Sequence, residues 1–277
     1  MPEGDSIFRT ARLLHAALAG ETAVRFDSMF PALNRVNDNR PLAGRSIESV
    51  AARGKHLLMT FSEDLILHTH LRMHGAWHVY RAGESWRRSV RDMRIHIQTD
   101  AHVAVGFRIP VAEFLTARQL ARHEQLGRLG PDVLDPSFDP AEAARRIRGR
   151  GPEAVGDVLL NQQVLAGLGN VLKSEVLFVA RVNPFARLDA LTDQEIANIV
   201  DASRRLTTMS VLEPWQSLTP GAGRRTTTSL DPSARLWVYG RAGKRCRVCG
   251  DAIHSRKTGV DARVTYWCPH CQPARTA

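Results

Sequence analysis

No stretch of this 277-residue chain runs for the roughly 18 apolar residues that a membrane-spanning helix needs. Glu3, Asp5, Arg9 and Arg12 break up any apolar leader at the start, so a cytoplasmic protein without a membrane partner is expected. Low-complexity tracts and internal repeats are absent. A composition of 43% hydrophobic and 24% charged residues excludes collagenous and wholly disordered classes. Cysteine is scarce: there are four, all between Cys246 and Cys271, and in a reducing compartment such a cluster favours a metal site over two disulfides. Lysine is scarcer than arginine, and acidic residues are outnumbered, 28 Asp+Glu against 38 Lys+Arg. The resulting charge of +10 points to polyanions, nucleic acid before acidic membrane.

The excess is uneven: residues 1–138 carry +3, residues 139–232 carry 0, and residues 233–277 carry +7. The length suits two domains with full cores. Ile7, Ala11, Leu14 and Leu18 recur at helical spacing and stop at Gly20, which predicts one opening helix. The segments Ser46–Phe61, Leu65–Leu71, Ala76–Tyr80, Met93–Gln98 and Val103–Phe107 read as strands of an antiparallel sandwich or barrel. Thr116 with Gln119, Asp139-Pro140 with Glu142, and Thr192 with Glu195 give helix starts, so a helical domain is expected to begin in the region of the first two. Residues 155–162 and 170–180 read as two helices joined through Gly167 and Gly169, and residues 219–229, with no apolar anchor, as a mobile basic loop.

Three motifs carry chemistry. Cys246-x2-Cys249-x18-Cys268-x2-Cys271 has the spacing at which four thiolates converge on one zinc ion, and a site closed by four sulfurs is structural, with no open position for water. Arg256, Lys257 and Arg263 between the knuckles would make such a hairpin a phosphate binder, or else a solvated basic tail. The run Gly167-Leu168-Gly169-Asn170 at a helix start can bring backbone N–H groups and Asn170 to a phosphate, although such starts are common. At the N-terminus, removal of Met1 would leave the Pro2 secondary amine beside Glu3, a nucleophile next to a proton carrier.

Together these motifs resemble one family, the formamidopyrimidine-DNA glycosylase and endonuclease VIII group, over nearly the whole chain. The likeness begins with Pro2-Glu3-Gly4-Asp5 and Arg53-Gly54-Lys55-His56-Leu57-Leu58 and takes in Gly130-Pro131-Asp132-Val133-Leu134. It continues through Gly167–Glu175, which looks like the family's helix-two-turns-helix signature, to Tyr266-Trp267-Cys268-Pro269-His270-Cys271-Gln272.

The resemblance implies an α+β fold: an N-terminal helix with an antiparallel β-sandwich (1–125), a helix-two-turns-helix domain (126–232) and a zinc-finger β-hairpin (233–277). It implies a DNA glycosylase and abasic-site lyase acting on damaged double-stranded DNA as a monomer, associated with the nucleoid when bound. Pro2 would attack C1′ and Glu3 would move protons. Lys55 would match a strand lysine that contacts phosphate and assists catalysis, and Arg263 would be the zinc-hairpin arginine at the flipped site. Asn170 and Arg128 would contact the DNA backbone. Met73, flanked by Arg72 and His74, would be the apolar wedge, the alternative being a methionine buried in a strand.

Phe107-Arg108-Ile109-Pro110 stands where purine-specific members carry Arg-Arg-Phe-Gly, which favours oxidised pyrimidines over 8-oxoguanine. The alternatives are an oxidised-purine glycosylase and a non-catalytic zinc-dependent DNA-binding protein on the same scaffold.

Overall fold

The computed structural model describes residues 2–212, 224–229, 231–259 and 262–274. Its contacts gather into two units, Met1–Arg128 and Leu129–Ala277.

The first unit opens with α1 (Gly4–Leu18), which buries Ile7, Ala11, Leu14 and Leu18 as the spacing predicts. Helix α1 packs against strands of both sheets that follow. In chain order come β1 (Arg25–Ser28), α2 (Pro31–Asn39), β2 (Ile47–Arg53), β3 (His56–Phe61) and β4 (Leu65–His70). Then follow β5 (Ala76–Arg81), β6 (Met93–Gln98), β7 (His102–Phe107), β8 (Val111–Leu115), α3 (Ala117–Ala121) and α4 (Glu124–Gly127). The strands form two four-stranded antiparallel sheets, ordered β1-β6-β7-β5 and β2-β3-β4-β8.

Because side chains alternate across a strand, register decides each face of the second sheet. Leu57 pairs with Thr69, Met59 with Leu67 and Phe61 with Leu65, and the apolar members of these pairs join the core with α1. The opposite face carries His56 beside His70 and Leu58 beside His68, with Glu113 beside His68 on β8.

The expected strands are present, with differences. Ser46–Phe61 is two strands, β2 and β3, joined by a two-residue turn at Gly54-Lys55 in which Gly54 adopts φ +59°, a conformation glycine takes without steric cost. The Thr116–Gln119 capping box exists, Thr116 Oγ1 accepting from Gln119 N at 3.2 Å and Gln119 Oε1 from Thr116 N at 2.8 Å. The helix it starts has five residues and belongs to the first unit. A capping box signals a helix start but says nothing of the helix's length or domain. Helix α2 and strand β8 were not anticipated.

The second unit contains α5 (Pro140–Arg148), α6 (Val155–Val158), α7 (Asn170–Val179), α8 (Asp193–Leu212), β9 (His254–Thr258) and β10 (Arg263–Trp267). Asp139 caps α5, its Oδ1 accepting from Ala141 N at 2.8 Å. Residues 155–162 form only one turn of helix, α6, before irregular turns. Helix α7 is buried from Asn170 to Phe178, the signature of a helix enclosed on every side. It packs against α8 and β10, so the antiparallel β9–β10 hairpin rests on the helical core.

Residues 219–223 of the expected loop lie outside the described residues. Residues 224–229 do have an anchor, a polar one. Thr226 and Thr227 are buried, and Thr226 Oγ1 donates to Glu175 on α7. The same Glu175 carboxylate accepts from the backbone N–H groups of Trp237, Val238 and Tyr239 at 2.7, 2.9 and 2.8 Å. A buried carboxylate needs such donors, and here they tie the approach to the zinc hairpin to α7. No described helix is long and apolar enough to cross a membrane.

Candidate functional site

In the first unit, Glu3 is the N-cap of α1 and its residue is fully buried. Ser6 closes the helix start: its Oγ accepts from Glu3 N at 2.8 Å and donates to Glu3 O at 2.9 Å. Pro2, half-buried, precedes the cap. Lys55 also differs from expectation: it sits in the β2–β3 turn, half-buried, and not on a strand. Helix α1 packs on β2 and β3, the two strands that the turn at Lys55 joins.

Residues 72–74 form an exposed turn between buried Leu71 and buried Gly75. Met73 is 59% exposed, one of few large apolar side chains left in solvent, which excludes the alternative of a methionine buried in a strand. Gly75 N donates to Leu71 O at 2.9 Å, and a Cβ at residue 75 would lie 2.6 Å from that oxygen, so only glycine closes the turn without a shift. A recess of about 420 Å³ beside it is lined by Met73, His74, Arg88, Ser89, Asp92 and Arg108. Arg108 Nε lies 2.8 Å from Asp92 Oδ1, a contact that holds the Asp92 carboxyl below its usual range. Arg128, in contrast, is exposed at the end of α4 with Glu124 at 3.2 Å.

The outer face of the second sheet holds a cluster that the sequence reading missed. His56 Nδ1 and His68 Nε2 are 2.8 Å apart, His68 Nδ1 and Glu113 Oε1 2.8 Å, and His123 Nε2 and Glu113 Oε1 2.9 Å. Leu126 N donates to His123 Nδ1 at 3.2 Å. That last bond fixes His123, and the lowered pKa values of His56 and His68 leave the other two rings neutral. His123 must carry its proton on Nε2 and donate to Glu113; His68 donates from Nδ1 to the same oxygen and accepts at Nε2 from His56 Nδ1–H. Every imidazole is thereby neutral and every facing pair is a donor with an acceptor.

Burial, reinforced by His70, His68, His123 and Arg53, pushes the His56 pKa down to about 3. Burial also lowers His68, against the pull of Glu113. Despite its own partial burial, Glu113 is lowered by the two imidazole donors. His68, Glu113 and His123 have the types and spacing of a metal triad. Metal ligation through His123 Nε2 would move its proton to Nδ1, facing the Leu126 N–H, so the geometry fits the proton-filled chain and not a cation. The alternation of His68 and His70 on one strand was the one signal available; the pairing of His68 with Glu113 across 45 residues was not.

In the second unit, Asn170 begins α7 and is buried, its Nδ2 donating at 2.9 Å to the carbonyl of Val264 on β10. Arg263, the next residue back, starts β10 opposite Thr258. The structure therefore joins Asn170 to the strand that carries Arg263. Lys173, also missed from sequence, is fully buried one turn further on, its Nζ donating to Thr265 Oγ1 at 2.7 Å.

The four cysteines converge, their sulfurs all within 4.8 Å of one another and none in a disulfide. Cys246 and Cys271 sulfurs are 3.9 Å apart, and those of Cys249 and Cys268 3.4 Å. Tetrahedral Zn–S bonds of about 2.3 Å place sulfurs about 3.8 Å apart, so the set fits one zinc ion. Val248 N and Cys271 N point at Cys246 and Cys268 sulfurs, at 3.4 and 3.5 Å, as thiolates favour. Gln272 latches the second knuckle to the helical core: its Oε1 accepts from Cys268 N at 3.1 Å and its Nε2 donates to Val182 O at 2.8 Å.

Three family models match the chain. They are the formamidopyrimidine-DNA glycosylase N-terminal domain over residues 1–110, the formamidopyrimidine-DNA glycosylase H2TH domain over 129–215, and the zinc finger found in FPG and IleRS over 243–274. Among curated relatives, the "Probable endonuclease 8 2" of Streptomyces coelicolor is 38% identical over 98% of this chain and 94% of that one. The "DNA-(apurinic or apyrimidinic site) lyase Nei2" of Mycolicibacterium smegmatis is 36% identical over 99% of this chain and 100% of that one. Among solved structures, Lactococcus lactis formamidopyrimidine-DNA glycosylase bound to DNA with an abasic site superposes with a TM-score of 0.82 at 22% identity, covering 99% and 100% of the two chains. That likeness shows a shared fold, α+β with antiparallel sheets.

Proposed function

The chain belongs to the formamidopyrimidine-DNA glycosylase family, and from that premise we propose that it excises oxidised pyrimidines from double-stranded DNA and then cuts the strand as an abasic-site lyase. The reading places it as a monomer in the cytoplasm, on the nucleoid when bound. The observation that carries it is the fully buried Glu3 capping α1 directly after Pro2, a carboxyl group withdrawn from bulk water beside an amine.

In this mechanism the Pro2 nitrogen, free once Met1 is removed, attacks C1′ of the flipped nucleoside. The C1′–N bond to the base breaks, the base leaves with a proton, and an iminium forms as Glu3 protonates the opening sugar-ring oxygen. The iminium acidifies C2′–H; its loss expels the 3′ phosphate, and a second elimination releases the 5′ phosphate. Hydrolysis frees Pro2. Lys55 holds phosphate from the β2–β3 turn, and Arg72 and Arg128 add backbone contacts. Met73 fills the space the flipped base leaves, a role its exposure supports, because unstacking costs on the order of a few kcal/mol.

Asn170 and Arg263 grip phosphate near the lesion, supported by the N–H groups at the start of α7 and by the Asn170–Val264 bond. A zinc ion held by Cys246, Cys249, Cys268 and Cys271 supplies structure only, fixing the hairpin that presents Arg263. The absence of an Arg-Arg-Phe-Gly segment supports the pyrimidine preference.

Borohydride added during turnover on duplexes carrying an oxidised pyrimidine or an abasic site should trap one covalent adduct, mapped to Pro2 by mass spectrometry. Glu3→Gln should abolish base release while leaving DNA binding intact. No adduct from protein verified to begin at Pro2, or unchanged excision in Glu3→Gln, sinks the reading.

A further inference from the structure

Strand β4 ends at His70, and the exposed turn bearing Met73 begins two residues later. Within that turn Arg72 holds φ +46°, a left-handed conformation that a non-glycine residue adopts only at a steric cost. Two bonds hold the backbone there. Gly75 N donates to Leu71 O, closing the far side, and Arg72 N donates to His70 Nδ1 at 3.1 Å, fixing the near side. A ring nitrogen accepting from the backbone two residues on does what asparagine does in an Asx-turn, where the side chain takes the place of a backbone acceptor.

The acceptor must be bare to work, and its surroundings keep it so. Burial above all, and then the nearby Arg72 and Lys55 cations, push the His70 pKa down to about 4. Its ring also meets His56 edge to face, with centroids 4.8 Å apart. His56 in turn cannot swing away, since its Nδ1–H is committed to His68, which is committed to Glu113, which is held by His123 at the start of α4. The only carboxylate in the group is Glu113, at the far end from His70.

We infer that His70 is a positioning residue for the turn at residues 71–75. Its Nδ1 acceptor, braced by the His56–His68–Glu113–His123 chain, sets the backbone that aims Met73. The inference rests on the proposed wedge role of Met73. A wedge matters where a base must be extruded from a stacked duplex and has little to do on a single strand, so His70 governs duplex activity selectively.

The test compares single-turnover cleavage of an abasic site in duplex and in single-stranded DNA for the full-length zinc-loaded protein. His70→Leu removes the acceptor and should lower the duplex rate about tenfold, the equivalent of ~1.4 kcal/mol in the barrier, with the single-strand rate within about twofold. His70→Asn, which restores an acceptor for the N–H two residues on, should recover most of the duplex rate. Equal loss on both substrates, or identical behaviour of the Leu and Asn variants, overturns the positioning role. Met73→Ala separates the two layers of the argument. If it leaves the duplex to single-strand ratio unchanged, the wedge reading beneath fails; if it lowers that ratio and His70→Leu does not, the positioning inference alone fails.

Discussion

Each unit contains a cluster of four polar side chains, and the two satisfy their lone pairs in opposite ways. In the hairpin, Cys246, Cys249, Cys268 and Cys271 point four sulfurs at a common centre. As thiolates all four are acceptors, so only a cation balances them. On the outer sheet face, His56, His68, Glu113 and His123 alternate donor and acceptor along a line that ends on the Leu126 N–H. Nothing is left over for a metal. Convergence of ligand-type residues is thus a weak sign of a metal site until the protons are assigned. The hairpin is stabilised by something the chain must acquire, whereas the sheet cluster is complete on folding.

The largest effect that separates them is zinc removal. Structural zinc contributes about 10–16 kcal/mol of apparent binding energy in small finger domains, so a strong chelator, or Cys268→Ser, should abolish hydrogen-exchange protection across residues 246–271. Unit-one amides, including those of β3 and β4, should keep their protection. Loss of protection in β4 on chelation would mean that a cation sits in the histidine cluster after all.

Acid comes next. Well above pH 6.5, His56 and His70 are neutral whether the chain is folded or not, and they add no pH dependence. Below it the unfolded state takes up protons that folded His56 and His70, lowered to about 3 and about 4, refuse. Stability should therefore fall with decreasing pH, by roughly 1.4 kcal/mol per pH unit for each such histidine, until the folded values are reached. Acid also protonates the thiolates and releases zinc. Excess zinc should restore the hairpin's acid stability and leave the loss in unit one untouched; a melt of unit one that is flat between pH 7 and pH 5 would break this account.

The smallest expected effect is that of Glu113→Leu. It leaves the His68 and His123 N–H groups without their acceptor and should cost about 1–3 kcal/mol by denaturant unfolding. Glu113→Gln retains an acceptor oxygen and should cost less. Equal costs would show that the carboxylate contributes nothing as an acceptor.

Much of this molecule was written locally. The opening helix follows from Ile7, Ala11, Leu14 and Leu18, and the caps at Thr116, Asp139 and Thr192 bond as their spacing predicts. The zinc site follows from two knuckles, each short enough to fix its own geometry. Lys55 was expected on a strand because apolar residues continue on both sides of Gly54-Lys55, where the chain in fact reverses. The five-residue helix after Thr116 joined the first unit because assignment to a domain is a matter of packing, which a cap does not encode.

By itself the sequence determined the family, the opening helix, the cysteine ligands and the amine beside a carboxyl group, because each is carried by residues close together along the chain. Tertiary structure alone decided that Met73 is exposed, that Asn170 grips the strand of Arg263, and that four side chains from β3, β4, β8 and the start of α4 form one hydrogen-bonded line. Those outcomes depend on register between distant strands, where a slip of one residue would turn His68 and Glu113 toward the apolar core.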